Sequence, residues 1–309
     1  MQFRQLEYFV ALAREQHFAR AAAACYVSQP ALSEAIRKLE RELGVPLVRR
    51  GSSFEGLTPE GERLVLGARR ILAERESLEH EVAALHTGLT GELRIGVIPA
   101  ATTAIADRVD PFCAAHPLVR LRIESALRSA DIVERLRRFE LDIGILYTQG
   151  VDTTGLVKRP LYDEQHVLVV GNDLLPGRTG AATWADIAEL PMCLLHKGMR
   201  GRDRIDEAAT AHGVTITPRL EADSISTLLA FVSRGGWASI VPRVWVQRRG
   251  APTDFRVVEL EDEALSGHVA LVRVDVEPAS VLVKAFEDMA MVLAAPPASG
   301  RITSSKPEA

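Results

Sequence analysis

The clearest chemical pattern lies between Cys25 and Glu40, where polar side chains alternate with apolar ones. Ser28 is placed to cap a helix, because its hydroxyl can accept a backbone N–H that the first turn leaves unpaired, and Pro30 suits that first turn. The apolar stripe consists of Leu32, Ile36, Leu39 and Leu43, and the other face carries Gln29, Ser33, Arg37, Lys38 and Arg41. Amide, hydroxyl and guanidinium groups on one helix face are suited to base edges and phosphates of DNA.

A short Ala-rich helix is predicted over residues 18–24, about three residues before the capped one. Two helices joined by so tight a turn have the geometry that places the second in a major groove. An ordinary helical hairpin would show the same periodicity. At the start of the Ala-rich helix Phe18 or Ala19 occupies the cap position, and neither can accept an N–H, so this helix should start less firmly by about 1 kcal/mol.

These helices need support from both sides. Leu6, Phe9, Val10 and Ala13 predict a first helix over residues 2–15, packed under the other two. After Gly44, Arg49 and Arg50 stand beside a turn that contains Ser53, and two adjacent Arg residues suit a wing along the phosphates. A solvated loop is the alternative, and Glu55 weakens the electrostatic argument.

A long helix is predicted from Pro59, capped by Thr58, to about Thr87. An apolar column repeats every seven residues through Leu64, Ile71, Leu78 and Leu85, with Gly61, Ala68 and Val82 beside it and Arg75 interrupting it. An apolar column of this kind packs against a second helix, so we expect dimerisation. Packing on the chain's own next domain is the alternative.

Beyond the hinge at Gly88–Gly91, apolar runs alternate with helical segments, which is typical of parallel α/β units. Two similar halves predict two lobes with a cleft between them. The expected strands are 93–98, 121–125, 143–147, 164–170, 192–196, 215–220, 238–241 and 269–272, and the expected helices are 102–115, 129–139, 202–212, 224–234 and 279–293. The chain should cross between lobes near 161–164 and 266–268.

Composition restricts the possible function classes. The 309 residues are 47% apolar and 25% charged, as in a soluble globular protein of two or three domains. The net charge of −4 argues against a nucleic-acid coat or a membrane-surface protein. We expect Cys25, Cys113 and Cys193 to be small buried residues, because none belongs to a Cys-x-x-Cys pair. No signal-like start and no long apolar stretch is present, which predicts a cytoplasmic protein.

Three linked motifs resemble the N-terminal domain of LysR-type transcriptional regulators: 18–22 followed by 27–33, then 39–47, then 57–61. The resemblance implies a winged helix-turn-helix that binds an interrupted dyad in double-stranded DNA, and a homodimer or homotetramer. The DNA-binding residues expected from the pattern and the resemblance are Ser28, Gln29, Pro30, Ser33, Glu34, Arg37, Lys38, Arg49, Arg50 and Ser53. The family often has a basic residue or Gln at position 34; Glu34 repels phosphate but can accept from a cytosine amine.

Hydroxyl groups stand at the starts of helices after several predicted strands, and helix N-termini favour anions. Each hydroxyl alone would be read as an N-cap. The resemblance implies a periplasmic-binding-protein-like effector domain with its pocket at 99–103, 126–129, 146–148, 196–202 and 224–227. The effector-binding residues expected there are Ala101, Thr102, Thr103, Arg128, Ser129, Tyr147, His196, Arg202, Ser224 and Ser226, and a small organic anion is the expected ligand.

The sequence therefore predicts an α/β protein with an all-α N-terminal part: a winged helix-turn-helix, a long linker helix and a two-lobed effector domain. The expected divisions are 1–58 for DNA binding, 59–90 for the dimerisation helix and hinge, 91–295 for the effector domain (lobe I 91–162 and 268–295, lobe II 163–267), and 296–309 for a disordered tail. A transport-type solute-binding protein with a helical extension is the alternative function. No nucleophile–base, phosphate-loop, metal or cofactor motif supports an enzyme.

Overall fold

The structure is a computed structural model that describes residues 1–50, 54–175, 180–247, 254–260 and 265–292. Its N-terminal part consists of α1 (Phe3–Glu15), α2 (Phe18–Ala24), α3 (Gln29–Leu43) and a ribbon of β1 (Val48–Arg50) with β2 (Phe54–Leu57). The ribbon is antiparallel, with Val48 opposite Leu57. Fully buried apolar side chains of α1 and α3 share one core: Leu6, Phe9, Leu12, Leu32, Ile36 and Leu39. Leu12 was not in the predicted stripe, and the expectation for Leu43 is wrong, because this last residue of α3 is exposed.

One helix, α4 (Pro59–Thr87), leads out of this part with the predicted bounds. The Thr58 Oγ1 atom accepts from the Gly61 N–H at 3.0 Å, which caps the helix. Gly61 has no room for a side chain, because a Cβ there would lie 2.1 Å from the Leu47 carbonyl oxygen. On the same side Val65 and Ala68 are buried against the N-terminal core, which fixes where α4 departs.

The seven-residue column on α4 is largely without packing partners among the residues that the structure describes. Ile71, Leu78, Val82 and Leu85 are all exposed, and Leu85 is 81% exposed. Leu64 differs, because it packs against the N-terminal core. Arg75, which interrupts the column, pairs with Glu7 at 2.6 Å. From Ile71 onward the column is thus free for a second helix.

The first lobe is a five-stranded sheet in the order β4 (Val119–Glu124), β3 (Gly91–Val97), β5 (Ile143–Tyr147), β12 (Gly267–Val274) and β6 (Leu156–Glu164). The strand β3 pairs in parallel with β4 and β5, as predicted, whereas β12 runs antiparallel to β5 and β6. A short 3-10 turn, Pro99–Ala101, precedes α5 (Thr102–Ala115), and the sheet is covered by α6 (Ser129–Arg137) and α11 (Val281–Val292).

The second lobe contains β7 (His166–Gly171), α7 (Trp184–Ala188), β8 (Cys193–Leu195), α8 (Arg200–Ala211), β9 (Leu220–Ala222), α9 (Ile225–Val232), β10 (Ala238–Pro242), α10 (Val244–Gln247) and β11 (Phe255–Val258). The expectation of parallel strands is wrong for β7, which pairs antiparallel with both β10 and β11. Only β8 and β9 pair in parallel among the strands described in this lobe.

Two further expectations are wrong. The strand predicted over 215–220 begins only at Leu220, because Pro218 has no N–H to donate to a ladder. Cys113 is exposed and Cys25 half-buried, so only Cys193 is the buried residue expected, since Cys113 lies on the outer face of α5. The two crossings lie where predicted, with β6 ending at Glu164 and β12 beginning at Gly267.

Within the described ranges, no helix is long and apolar enough to cross a membrane, and no group of His, Cys, Asp and Glu is arranged to hold a metal ion. The predicted tail at 296–309 lies outside the described residues.

Candidate functional site

The two helices of the predicted helix-turn-helix both begin at side-chain caps. Ser28 Oγ accepts from the Ala31 N–H at 3.4 Å, as expected. The expectation that α2 lacks a cap is wrong. Its N-cap is His17, whose Nδ1 accepts from the N–H groups of Ala19 at 3.2 Å and Arg20 at 3.4 Å. An imidazole nitrogen with a free lone pair thus replaces the usual hydroxyl.

The polar face of α3 is open to solvent. Gln29, Pro30, Arg37 and Lys38 are exposed, and Ser33 is half-buried. Glu34 accepts from Arg41 at 2.8 Å and lies 3.5 Å from Arg37, and these bonds hold its carboxyl pKa below the usual range. Two cations of this face are therefore partly neutralised by one carboxylate.

The ribbon beside α3 matches the predicted wing. Arg49 does not extend away from it: its Nε donates to the Leu57 carbonyl at 2.7 Å, so the side chain lies along β2. Arg50 ends β1, and Ser53 lies outside the described residues. Together α3 and the ribbon form one surface on which hydrogen-bond donors and cations are exposed.

A second candidate site is a small cavity between the lobes. It is lined by Ile98, Pro99, Ala100, Leu127, Arg128, Ser129, Tyr147, Leu195, Met199, Arg200 and Gly201, and its volume is about 10 Å³. That volume holds about one water molecule. The first turns of α6 and α8 meet here from opposite lobes, so two positive helix ends face one cavity.

Ser129 is the most informative residue in this cavity. Its side chain is 3% exposed, and its hydroxyl has no hydrogen-bond partner among the described residues. A buried hydroxyl without a partner costs about 1–3 kcal/mol. Because Ser129 begins α6 and lines the cavity, a ligand oxygen would meet this hydroxyl beside unpaired backbone N–H groups.

Below the cavity lies a buried polar cluster at the crossing between the lobes. Tyr147 donates its hydroxyl to Glu164, and His166 Nδ1 bonds the Leu265 carbonyl at 2.7 Å. Burial raises the pKa of the Glu164 carboxyl to about 8, against a smaller lowering by Arg204. Burial also lowers the pKa of His166 to about 4. Both side chains are therefore uncharged near neutral pH.

Arg204 and Arg128 form hydrogen bonds between the lobes around the cavity, and Arg200 lies near Gly150 of the other lobe while it pairs with Glu207 of its own helix. Arg204 of α8 donates to Gln149 Oε1 at 3.1 Å and to the Ser266 carbonyl, and its guanidinium lies 5.8 Å from the Tyr147 ring centre. The Cζ atom of Arg200 would lie 3.5 Å from a Cβ at Gly150. Arg128 reaches the Lys197 carbonyl at 3.5 Å from the other side. These contacts hold the lobes close together.

The structure brings together three of the predicted effector residues, Arg128, Ser129 and Tyr147. The others lie outside the cavity lining. Ala101 is buried, Thr102 Oγ1 lies 3.4 Å from the Ile98 carbonyl, and Thr103 is half-buried. His196 is exposed with Nδ1 3.8 Å from Glu221, and the hydroxyls of Ser224 and Ser226 bond each other at 2.6 Å.

Arg202 is turned away from the cavity. It is fully buried and bonds the Leu195 carbonyl, Glu221 and Asp206 at 2.7–2.9 Å, so it ties α8 to β8 and β9. The sequence spacing of Arg202 indicated that it is buried, because Arg202, Ile205 and Ala209 form the buried stripe of α8. Four apolar wall residues, Pro99, Ala100, Leu127 and Met199, lie in the predicted loops but were not named as ligand contacts, and Leu195 was missed altogether. Their apolar side chains carry no local signal that separates a pocket wall from a core.

Comparison with known proteins gives two family matches. Residues 3–62 match the bacterial regulatory helix-turn-helix proteins of the lysR family, and residues 86–293 match the LysR substrate binding domain. A probable hydrogen peroxide-inducible genes activator of Streptomyces viridosporus is 35% identical over 246 residues, which cover 79% of this chain and 78% of that protein.

Solved structures agree over nearly the whole chain. A full-length OxyR variant of Pseudomonas aeruginosa, with Asp in place of a Cys, has a TM-score of 0.74 and 27% identity and covers 94% of both chains. CbnR in complex with its target DNA has a TM-score of 0.67 and covers 96% of this chain and 100% of that one. At 21% identity, CbnR supports the fold alone.

Proposed function

The chain belongs to the LysR family, and from that premise we propose that its α3 helix reads an operator while a small organic anion binds in the cavity between its lobes. As a family member it is a DNA-binding transcriptional regulator with an effector-binding domain, and it is not an enzyme. The alternative of a transport-type solute-binding protein is wrong, because the N-terminal part matches a regulatory DNA-binding domain.

The proposed DNA contacts come from the exposed face of α3 and from the ribbon. Gln29, Ser33 and Arg37 suit base edges, and Lys38 and Arg49 suit phosphates. The Glu34 carboxylate moderates the positive charge of this face through Arg37 and Arg41. Such a face binds weakly to any DNA and gains affinity where its donors match the bases.

LysR regulators form oligomers, and we propose that the exposed column of α4 holds two chains together. Two chains would present two α3 helices to the two half-sites of a dyad at fixed separation. We further propose the divisions 1–58, 59–90 and 91–295 for the three functional parts, and a cytoplasmic location for the protein.

The anionic ligand is supported by the chemistry of the cavity walls. Ser129 offers a buried hydroxyl without a partner, α6 and α8 present their N-termini, and Arg128 and Arg200 stand at the edge. The Glu164 carboxyl, which accepts from the lining residue Tyr147, has a pKa raised by burial to about 8 and so does not repel an anion at neutral pH. Because the cavity holds about one water, the lobes must part to admit a metabolite.

A second candidate function follows from relatives named for hydrogen peroxide. A thiol response needs a reactive, accessible thiolate. Among the described residues no Cys lines the cavity; Cys193 is buried, and burial raises its thiol pKa to about 11. Cys25 follows the end of α2 in the N-terminal part, and Cys113 lies on α5 of the effector domain, so these two thiols belong to different domains. We therefore favour a non-covalent ligand over thiol oxidation.

Thermal-shift screening of organic acids against their neutral amides tests the anionic ligand. A ligand at about a hundred times its dissociation constant adds roughly 2.7 kcal/mol of stability. The hit should disappear in Ser129→Ala and persist in Ser125→Ala, which alters an exposed Ser four residues earlier. Hits confined to neutral compounds would contradict the proposed ligand class.

A further inference from the structure

Three Arg side chains are buried in the part of the chain that the structure describes, and one differs from the other two. Arg202 bonds Asp206 and Glu221, and Arg273 bonds Glu277 and Glu287. Arg108 is 7% exposed and has no carboxylate partner among the described residues. A buried cation without a counter-ion costs several kcal/mol, so its retention needs a reason.

The contacts of Arg108 use little of its hydrogen-bonding capacity. Its Nη1 donates to the Ala104 carbonyl at 3.1 Å, while its Nε is buried without a partner in the described structure. Its guanidinium lies 5.5 Å from the ring centre of Tyr162, a cation–π contact that does not neutralise the charge. Only one of the five N–H donors of the guanidinium is therefore accounted for.

Arg108 lines a cavity of about 360 Å³ that shares no lining residue with the cavity at Ser129. The walls come from α5, from the end of β6 and from α10, so they span both lobes. Ala104, Val244 and the Tyr162 ring give an apolar surface, and Gln165 and Gln247 supply amide groups. The volume has room for a small metabolite.

The carboxyl groups at this cavity act on other partners. Asp163 contacts His268, and Glu164 accepts from Tyr147. Asp107 lies on the exposed side of α5. Arg243 also lines the cavity, but it pairs with Glu259. A second negative charge on the ligand would meet the Asp107 and Asp163 carboxylates, whereas a single carboxylate can face Arg108 and place its body on the apolar walls.

We propose that Arg108 and this cavity form a second ligand site, separate from the one at Ser129, that binds a small organic monocarboxylate. The carboxylate supplies the counter-ion that Arg108 lacks, and the apolar body packs against Tyr162 and Val244. Since the site joins α5 of one lobe to α10 of the other, occupation favours the arrangement in which these elements are close. The cleft ligand and this one are therefore coupled through the same two lobes.

The test measures thermal stability of the full chain with butyrate, butyramide or inorganic phosphate at fixed ionic strength. We expect a saturable rise with butyrate alone. In Arg108→Met the dissociation constant should increase about tenfold or more, while Arg120→Met, at an exposed Arg of β4, retains the response. Ser129→Ala should also retain it, because the cleft is a different site.

Other outcomes overturn the proposal. They are no response to butyrate, an equal response in Arg108→Met, a loss of response in Ser129→Ala alone, or stabilisation by phosphate or butyramide instead. Arg108→Lys covers the case in which the Met variant does not fold. It keeps the charge but loses the planar fork, so it should bind butyrate more weakly than the wild type and not equally well.

Discussion

The imidazole of His80 on α4 lies directly against Gly91, the first residue of β3. A Cβ at residue 91 would stand 2.2 Å from His80 Nε2, and the Gly91 backbone has a φ of 115°. The linker helix and the first strand of the effector domain therefore meet at a residue with no side chain. This contact, with the Arg69–Glu140 ion pair, connects the two parts.

Gly91→Ala should destabilise the protein by about 1–3 kcal/mol, because the added methyl clashes with His80 and the backbone angle disfavours any side chain. Urea unfolding of the single variants and of the pair with His80→Ala separates the two causes. The double variant should recover the steric part only. Full recovery of stability in the double variant would mean that the backbone angle costs nothing. An unchanged stability in Gly91→Ala alone would contradict the contact.

Glu34→Gln should raise affinity for all DNA by about two- to fivefold, because Arg37 and Arg41 lose the carboxylate that partly neutralises them. Arg37→Ala should instead weaken operator binding by about 1–3 kcal/mol if it contacts a base. Fluorescence anisotropy over a salt series measures both, with Arg122→Ala of the effector domain as the control. A loss of preference at one base pair in Glu34→Gln would instead assign base reading to Glu34.

Replacing Ile71 and Leu78 together by Asp should separate the oligomer, because each charge would lose apolar burial and face its copy on the partner helix. Operator affinity should fall with it. Analytical ultracentrifugation measures the mass, and Arg70→Asp places the same charge at an exposed position off the column. An intact oligomer in the double variant would show that another surface holds the chains together.

Glu164→Gln should remove a fall in stability that the wild type shows as pH rises from about 6.5 to about 8. The folded-state pKa is about 8 against about 4.3 unfolded, so the folded state binds one more proton between these values and stability falls as pH rises. The lowered pKa of His166 has the opposite effect on stability, because it makes stability rise with pH, but only between about pH 4 and 6.5. From pH 6.5 to 8 the wild type should lose up to roughly 2 kcal/mol relative to the variant. Urea unfolding at each pH gives the stability of both proteins. If stability depends on pH in the same way in the wild type and in the variant, Glu164 is not neutral in the folded state.

Replacing Cys25, Cys113 and Cys193 by Ser should leave the response to an organic acid ligand unchanged. Hydrogen peroxide should not alter operator binding of the wild type, since no thiol lines the cavity in the described structure. Anisotropy with and without peroxide checks this. A peroxide effect that vanishes in the triple variant would favour the thiol-based alternative.

Local signals predicted the helices well. Ser28 and Thr58 cap α3 and α4 where their hydroxyls indicated, because a cap depends on the next three residues only. His17 was missed because its capping nitrogen depends on a tautomer.

The sequence could not predict how strands that are distant along the chain pair with one another. The strand β7 has the apolar run of a parallel strand, but its direction relative to β10 and β11 is set by how the chain returns from the other lobe. Arg108 likewise looks like an ordinary charged residue on a helix, and only packing against Tyr162 reveals that its charge is buried.

The length of α4 converts small changes at its far end into large ones at the DNA. Its 29 residues span about 43 Å at 1.5 Å per residue. A rotation of one degree about the Gly91 end then displaces the other end by about 0.75 Å, and about 4.5 degrees moves it by the 3.4 Å that separates base pairs. An angular change this small at the effector domain is enough to move α3 out of register with its half-site.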